Sequence, residues 1–187
     1  FIDIARSLAS FIRNEFKLKS TKFDKFVEGK ISLSNKELNG ALIFYGKGGC
    51  SSCHSGSHFT NFNFYTIPLP QLGFGKNGFG IDYGRYNTTF NPKDLYKFRT
   101  PSLRNVDKTG PYGHSGSAKN LREAIIYHYD PLSLLDIDKY NSLQRHEYYK
   151  YLVKSDTANI INFLSMREVN DLESFLKTLS QWRFSYY

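Results

Sequence analysis

Sulfur is scarce in this chain. Its 187 residues include two cysteines, one methionine and one tryptophan. Two cysteines cannot build a disulfide framework or supply the four thiolates of an Fe–S cluster. No run of 18 apolar residues occurs, so no segment reads as a membrane-spanning helix. The opening residues, Phe1-Ile2-Asp3-Ile4-Ala5-Arg6, lack the basic n-region and the cleavage site of a secretory signal. They also lack an initiator methionine, so the chain is read as processed, or as a fragment that starts inside a helix. No internal repeat appears. Basic residues outnumber acidic ones by 25 to 17, giving a net charge of +8. The cations are dispersed, and the densest stretch, Arg13 to Lys30, is broken by Glu15, Asp24 and Glu28. No nucleic-acid motif accompanies them, so nucleic acid is not the expected partner.

Against that scarcity, the two cysteines are closely placed. Cys50 and Cys53 are followed at once by His54. C-x-x-C-H is the attachment sequence of a c-type haem. Two thiols at this spacing add across the two vinyl groups of one porphyrin, and the adjacent histidine supplies the first axial ligand to iron. Two other readings compete. A zinc site needs two further ligands, and only His54 and His58 approach an H-x₃-H pair, overlapping the motif. A thioredoxin-like pair needs a βαβ context, and none is evident. One covalent haem c is therefore the expected cofactor. Its attachment takes place outside the bacterial cytoplasm or in the mitochondrial intermembrane space, so a periplasmic or otherwise extracytoplasmic location is expected. The basic surface is either simply solvated or steers an acidic redox partner.

Periodicity predicts helices and long loops. Ile4, Leu8, Phe11, Ile12 and Phe16 recur at helical spacing over 2–17, and a basic, polar link follows to about Leu33. Ser34 and Glu37 form a capping box that opens a helix to about Tyr45, stopped at Gly46. From Ser55 to about Lys97 the chain is rich in Gly, Asn, Pro and Phe, which predicts loops with a few short strands or turns. A loop region this long is uncommon in a compact domain, but a haem can stand in for the missing core. Asn120 or Ser117 caps a helix from Leu121 to about Tyr129, ended by Asp130-Pro131. A further helix is expected around 140–153. A second capping box, Ser165 with Glu168, opens the last one, with Val169, Leu172, Phe175, Leu176 and Leu179 on one face. The expected fold class is all-α, a cytochrome c-like haem domain with long loops.

Three stretches carry a more specific signature. They are Lys97-Phe98-Arg99-Thr100-Pro101-Ser102-Leu103-Arg104-Asn105, Thr109-Gly110-Pro111-Tyr112-Gly113-His114-Ser115-Gly116, and Leu121-Arg122-Glu123-Ala124. Together they resemble the K-F-R-x-P-S-L-R-N … T-x-P-Y-x-H-x-G … L-x-E-A pattern of the bacterial di-haem cytochrome c peroxidases and their MauG-like relatives. Ile4 to Phe11 resembles the family's inter-domain helix, and Phe23-Asp24-Lys25-Phe26 with Leu33-Ser34 resembles the segment after it. Asp82-Tyr83-Gly84-Arg85 resembles its D-x-G-R turn, and Leu172 to Leu179 its closing helix. The likeness covers roughly 1–130 and 164–180. It implies a division into an inter-domain-type helix and linker (1–33) and a c-type haem domain (34–187), within which 131–163 is a family-atypical insertion. The match is to the C-terminal, electron-relay domain. With only one C-x-x-C-H, the domain whose haem splits peroxide is expected on a partner domain or chain.

The resemblance also implies site residues. The family's sixth iron ligand lies seven residues beyond the leading Leu of the helix after P-Y-x-H-x-G, where peroxidases carry Met and MauG-like enzymes Tyr. Counting from Leu121 reaches His128. A bis-histidine iron, His54 with His128, is expected, with Tyr127, Tyr129 and Met166 as alternatives. Arg99 and Arg104 lie in the loop that crosses the haem, and a guanidinium pairs bidentately with a propionate. Thr109 and Pro111 match positions whose carbonyls bind an inter-domain Ca²⁺. His114 is expected to hydrogen-bond within its loop, and His58 and His146 to lie on the surface.

The expected function is electron relay to a second haem from a small donor protein, acidic if charge complementarity selects it. The rivals are a stand-alone mono-haem carrier or haem subunit of a larger redox complex, a MauG-like oxidase of a protein substrate, and a structural subunit whose haem only stabilises the fold.

Overall fold

In the computed structural model, residues 1–15, 19–71, 81–157 and 162–181 are described. Phe16 of the first apolar stripe lies outside them. Helix α1, Ile2–Glu15, buries none of its residues. Ile4, Leu8, Phe11 and Ile12 are each more than half exposed, so the described part of the stripe does not enter the core.

The expected link that follows contains a helix. α2, Lys22–Val27, is opened by a full capping box in which Thr21 and Asp24 satisfy each other's backbone N–H groups. The T-x-x-D spacing could have been read from the sequence. Its short apolar content, Phe23 and Phe26, was too brief to show a period. Phe23 packs edge-on against Phe175 at 5.2 Å and against Phe59 at 5.8 Å.

The centre of the fold is a pair of helices. α3, Asn35–Tyr45, begins at the Ser34–Glu37 capping box and ends at Gly46, as its sequence predicts. It packs on α7, Met166–Lys177, which is opened by the Ser165–Glu168 capping box and also contacts α5, Leu121–Tyr127. α3 and α7 make the most extensive helix contact. Phe44 lies against Phe175 at 5.2 Å, and Val169, Leu172, Phe175 and Leu179 are almost wholly enclosed. Each such side chain contributes about 1.5–3 kcal/mol through burial. The helices meet at Gly40, where a Cβ would collide with the carbonyl oxygen of Asp171. Only glycine allows that approach.

Among the described residues from Ser55 to Lys97, loops dominate. They carry β1, Phe64–Tyr65, which pairs antiparallel with β2, Phe98–Arg99, and the single-turn helix α4, Tyr86–Thr89. Asn120, rather than Ser117, caps α5, and His128 is its C-cap. The helix thus stops two residues earlier than Tyr129, before Asp130-Pro131. α6, Ser142–Val153, is opened by a capping box between Asn141 and Gln144. It buries Tyr148 and Tyr151 against Tyr96, forming a small second cluster.

Candidate haem-binding site

Where α3 ends, the backbone turns on Gly49, which adopts a left-handed φ of 63°. Cys50 to Ser52 then form one 3₁₀ turn. Gly48 is pressed against this turn: a Cβ there would meet Ile43 O at 2.8 Å and Cys50 Sγ at 3.3 Å. The turn presents Cys50, Cys53 and His54 to a cavity of about 580 Å³. Its walls are largely apolar and include Phe44, Ile67, Leu69, Leu103, Ile125 and Leu172.

Two imidazoles share this cavity. His54 Nδ1 lies 3.1 Å from the carbonyl oxygen of Phe59. A carbonyl can only accept, so Nδ1 carries the proton and Nε2 is left with a lone pair. His128, at the C-terminal end of α5, repeats the arrangement with the Ala124 carbonyl at 2.7 Å. Burial, helped by the nearby His128 ring, pushes His54 down to about 4 against the opposing pull of the Phe59 and Pro101 carbonyls. Burial likewise lowers His128. Both rings are therefore neutral near pH 7, the form that binds a metal.

The thiols are not poised as nucleophiles. Burial pushes Cys50 up to about 12, and burial also raises Cys53. A catalytic C-x-x-C pair needs the opposite shift. Among the described residues, no three His, Cys, Asp or Glu side chains gather into a metal-binding group. An apolar cavity holding two thiols and two carbonyl-anchored imidazoles fits a haem c. Cys50 and Cys53 would hold its vinyl carbons, and His54 and His128 its iron.

The other predicted residues divide. Arg99 and Tyr129 are on the cavity wall, and so are Thr109, Pro111 and His114. The Arg99 guanidinium lies over the Phe62 ring at 5.4 Å. Arg104 is placed differently from its expected role. Its fork is committed to Asp24, at 2.6 and 2.9 Å, with further bonds to Ser57 O and Thr21 Oγ1. It ties α2 to the 100–104 loop and does not line the cavity. Tyr127 points into a separate cluster with Ala118 and Ala124. Met166 is half exposed at the start of α7 and also lies off the wall. His114 bonds Asp82 at 2.9 Å and stacks on Phe98 with ring centroids 4.0 Å apart. His58 and His146 are exposed. Tyr65, Tyr151 and Thr157 also line the cavity. Tyr65 and Thr157 come from segments without periodicity or motif, and Tyr151 lies in the helix expected around 140–153, whose sequence shows no apolar face.

The fold is that of an all-α, cytochrome c-like domain. Comparison with known proteins narrows this class. The chain is 32% identical over 151 residues to the cytochrome-c peroxidase IdrP1 of a Pseudomonas species, covering 67% of this chain and 40% of that protein. It is 30% identical over 179 residues to the methylamine utilization protein MauG of Methylophilus methylotrophus, covering 94% and 46%. A solved MauG-like protein associated with microbial copper homeostasis superimposes with a TM-score of 0.66 at 26% identity, over 87% of this chain and 49% of that one. The diheme peroxidase BthA of Burkholderia thailandensis shares the fold, with a TM-score of 0.65 at 24% identity over 88% and 47%. No family model matches. The chain belongs to the family of di-haem cytochrome c peroxidases and MauG-like proteins. It spans less than half the length of the curated relatives it matches.

Proposed function

We propose that this chain holds one covalent haem c and relays single electrons to a second haem, carried by a partner domain or chain, in a peroxide-reducing assembly. One observation carries the reading: two neutral imidazoles from separate elements share an apolar cavity with both thiols of C-x-x-C-H. The haem would supply one-electron redox chemistry. The chain's residues supply attachment, ligands, orientation and exclusion of water. Phe59 and Ala124 fix the two imidazole tautomers. With His54 and His128 both held to the iron, the haem would leave peroxide no place to bind, which suits a relay rather than the peroxide-splitting site. Arg99 remains the candidate for a propionate, and the carbonyls of Thr109 and Pro111 remain candidates for Ca²⁺.

The chain would correspond to the C-terminal half of its relatives, with 34–187 as the haem domain and 131–163 inserted in it. The exposed Ile4, Leu8 and Ile12 of α1 support a partner domain on that side. No helix among the described residues is long and apolar enough to cross a membrane. We place the protein in an extracytoplasmic compartment because haem is attached there. The MauG-like reading, oxidation of a protein substrate, draws on Tyr129, which shares the wall with His128. A stand-alone carrier would need no partner haem.

The test is retention of haem on a denaturing gel. Wild-type protein should keep it, and Cys50→Ala or Cys53→Ala should weaken or abolish the band. Haem lost from the wild type on acid–acetone extraction would overturn the proposal. Peroxide turnover by the 187-residue chain alone should be slight, and robust turnover would favour an open or easily displaced sixth position.

A further inference from the structure

The cavity and the outer surface meet at one pair of rings. Tyr151 lines the cavity, whereas Tyr96 lines a separate open groove. Both are buried, and their centroids lie 5.1 Å apart. From Tyr96 the ring contacts continue outward to Tyr83 at 5.7 Å and then Tyr86 at 6.3 Å. Tyr86 in turn meets Phe90 at 6.2 Å, and Phe90 is 75% exposed.

The other wall of the groove is α6, which contributes His146, Tyr149, Lys150 and Val153, with Lys154 at its C-cap. Val153 is 88% exposed. Glu147 is the carboxylate lining the groove, and it is already matched. It receives Lys150 Nζ at 2.8 Å and the Tyr96 hydroxyl at 3.2 Å. Lys154, and Lys93 beside the groove residue Pro92, enter no ion pair among the described residues. The surface is thus an aromatic and aliphatic centre with an uncompensated cationic rim, on a chain of net charge +8.

We infer that this groove docks a small acidic one-electron carrier protein, and that Tyr96 and Tyr151 bridge it to the haem cavity. The inference rests on the relay reading above and adds the place where electrons enter. Small, transient redox contacts need little area, and charge complementarity sets their encounter rate. One electron leaves the reduced centre of the carrier and is taken up by the haem iron. No bond forms or breaks and no proton moves. The two rings keep the intervening path filled with contacting atoms and are not themselves oxidised.

The probe is plant-type [2Fe–2S] ferredoxin, a strongly reducing centre on an acidic protein. Its binding to the haem-loaded chain is titrated in the oxidised state, and its electron transfer is timed in the reduced state. Lys93→Glu with Lys154→Glu, and separately Val153→Asp, change exposed side chains only. Each should weaken binding and slow transfer at least tenfold at low ionic strength. The effect of the charge reversals should shrink as salt screens them. Reduction by a neutral photoreduced flavin should be unchanged. Tyr96 is only 2% exposed and offers the carrier almost no surface, so Tyr96→Leu should hold binding within twofold and slow transfer from the bound carrier about fivefold. Variants within twofold of the wild type in both measurements would overturn the docking site. So would an equal loss from Lys25→Glu with Lys36→Glu, exposed lysines outside the groove, because net charge alone would then explain it. Unchanged transfer in Tyr96→Leu would overturn the ring bridge. Failure of the flavin to reduce the chain counts against the relay reading itself, while the binding titration still decides the groove.

Discussion

His128 is the residue on which the proposed chemistry turns. Its ring is anchored through Nδ1 to Ala124 O at 2.7 Å, so removing it opens one face of the cavity without touching the Cys50–His54 turn. His128→Ala should convert a low-spin ferric spectrum into a high-spin one that responds to cyanide or azide. His128→Met should keep the low-spin state and raise the potential, because a thioether favours the reduced iron. An Ala variant with the wild-type spectrum and potential would exclude His128, and Tyr129 would be the next ligand to test. Arg104 acts at the same scale with a structural outcome. Burial alone would raise the pKa of Asp24, but hydrogen bonds from Arg104 and Thr21 outweigh it and hold the carboxyl below its usual value. Arg104→Ala leaves that carboxylate partly buried without its cation, held by Thr21 alone, at a cost of about 2 kcal/mol. Urea titration at pH 7 measures the loss, and a stability within 0.5 kcal/mol of the wild type, the range of an ordinary surface change, would show that water replaces the guanidinium.

Among the elements, the α3–α7 contact is the least tolerant of change. A Gly40→Ala methyl would meet Asp171 O, Asp171 C and Phe175 Cβ, all within 2.7 Å. Two of those atoms are backbone, so the helices must separate. A loss of about 3 kcal/mol is expected, although alanine favours an isolated helix over glycine. A thermal midpoint at or above that of the wild type would contradict the close approach. Elements with local signals were legible in the sequence. The capping boxes at Ser34 and Ser165 and the apolar faces behind them placed α3 and α7. Less was visible where the signal was long-range. α2 is too short to show a period, and its place in the core depends on Phe175, far along the chain. The C-x-x-C-H motif announced half of the site by itself. The other half came from a family register that reached His128, which lines the same cavity. Arg104 went elsewhere because its partner, Asp24, lies on the helix the sequence did not reveal. Tyr151 reached the wall through tertiary packing alone.

For the molecule as a whole, acid is the expected weak point. Asp24 and Glu37 both have depressed pKa values in the fold. Burial opposes ionisation of Glu37, but Lys22 and Ser34 outweigh that effect. A depressed carboxyl contributes stability that is complete above its unfolded value, here 3.8 for Asp24 and 4.5 for Glu37. That contribution is lost as pH falls through the lower folded value. The urea midpoint should therefore decline below about pH 4.5, and Asp24→Asn should flatten part of the decline. An undiminished slope in that variant would place the acid sensitivity elsewhere. The central cavity sets a different property of the whole chain, one of dosage. A pigment held only by contacts stabilises its protein in proportion to the logarithm of its free concentration, and dilution unloads it. Two thioether bonds from Cys50 and Cys53 would abolish that dependence. The melting temperature of the loaded protein should stay constant over a hundredfold dilution, and added free haem should not raise it. Each chain would then carry through its lifetime the haem it received at maturation, and the supply of active protein would be set by the attachment step rather than by the prevailing haem level.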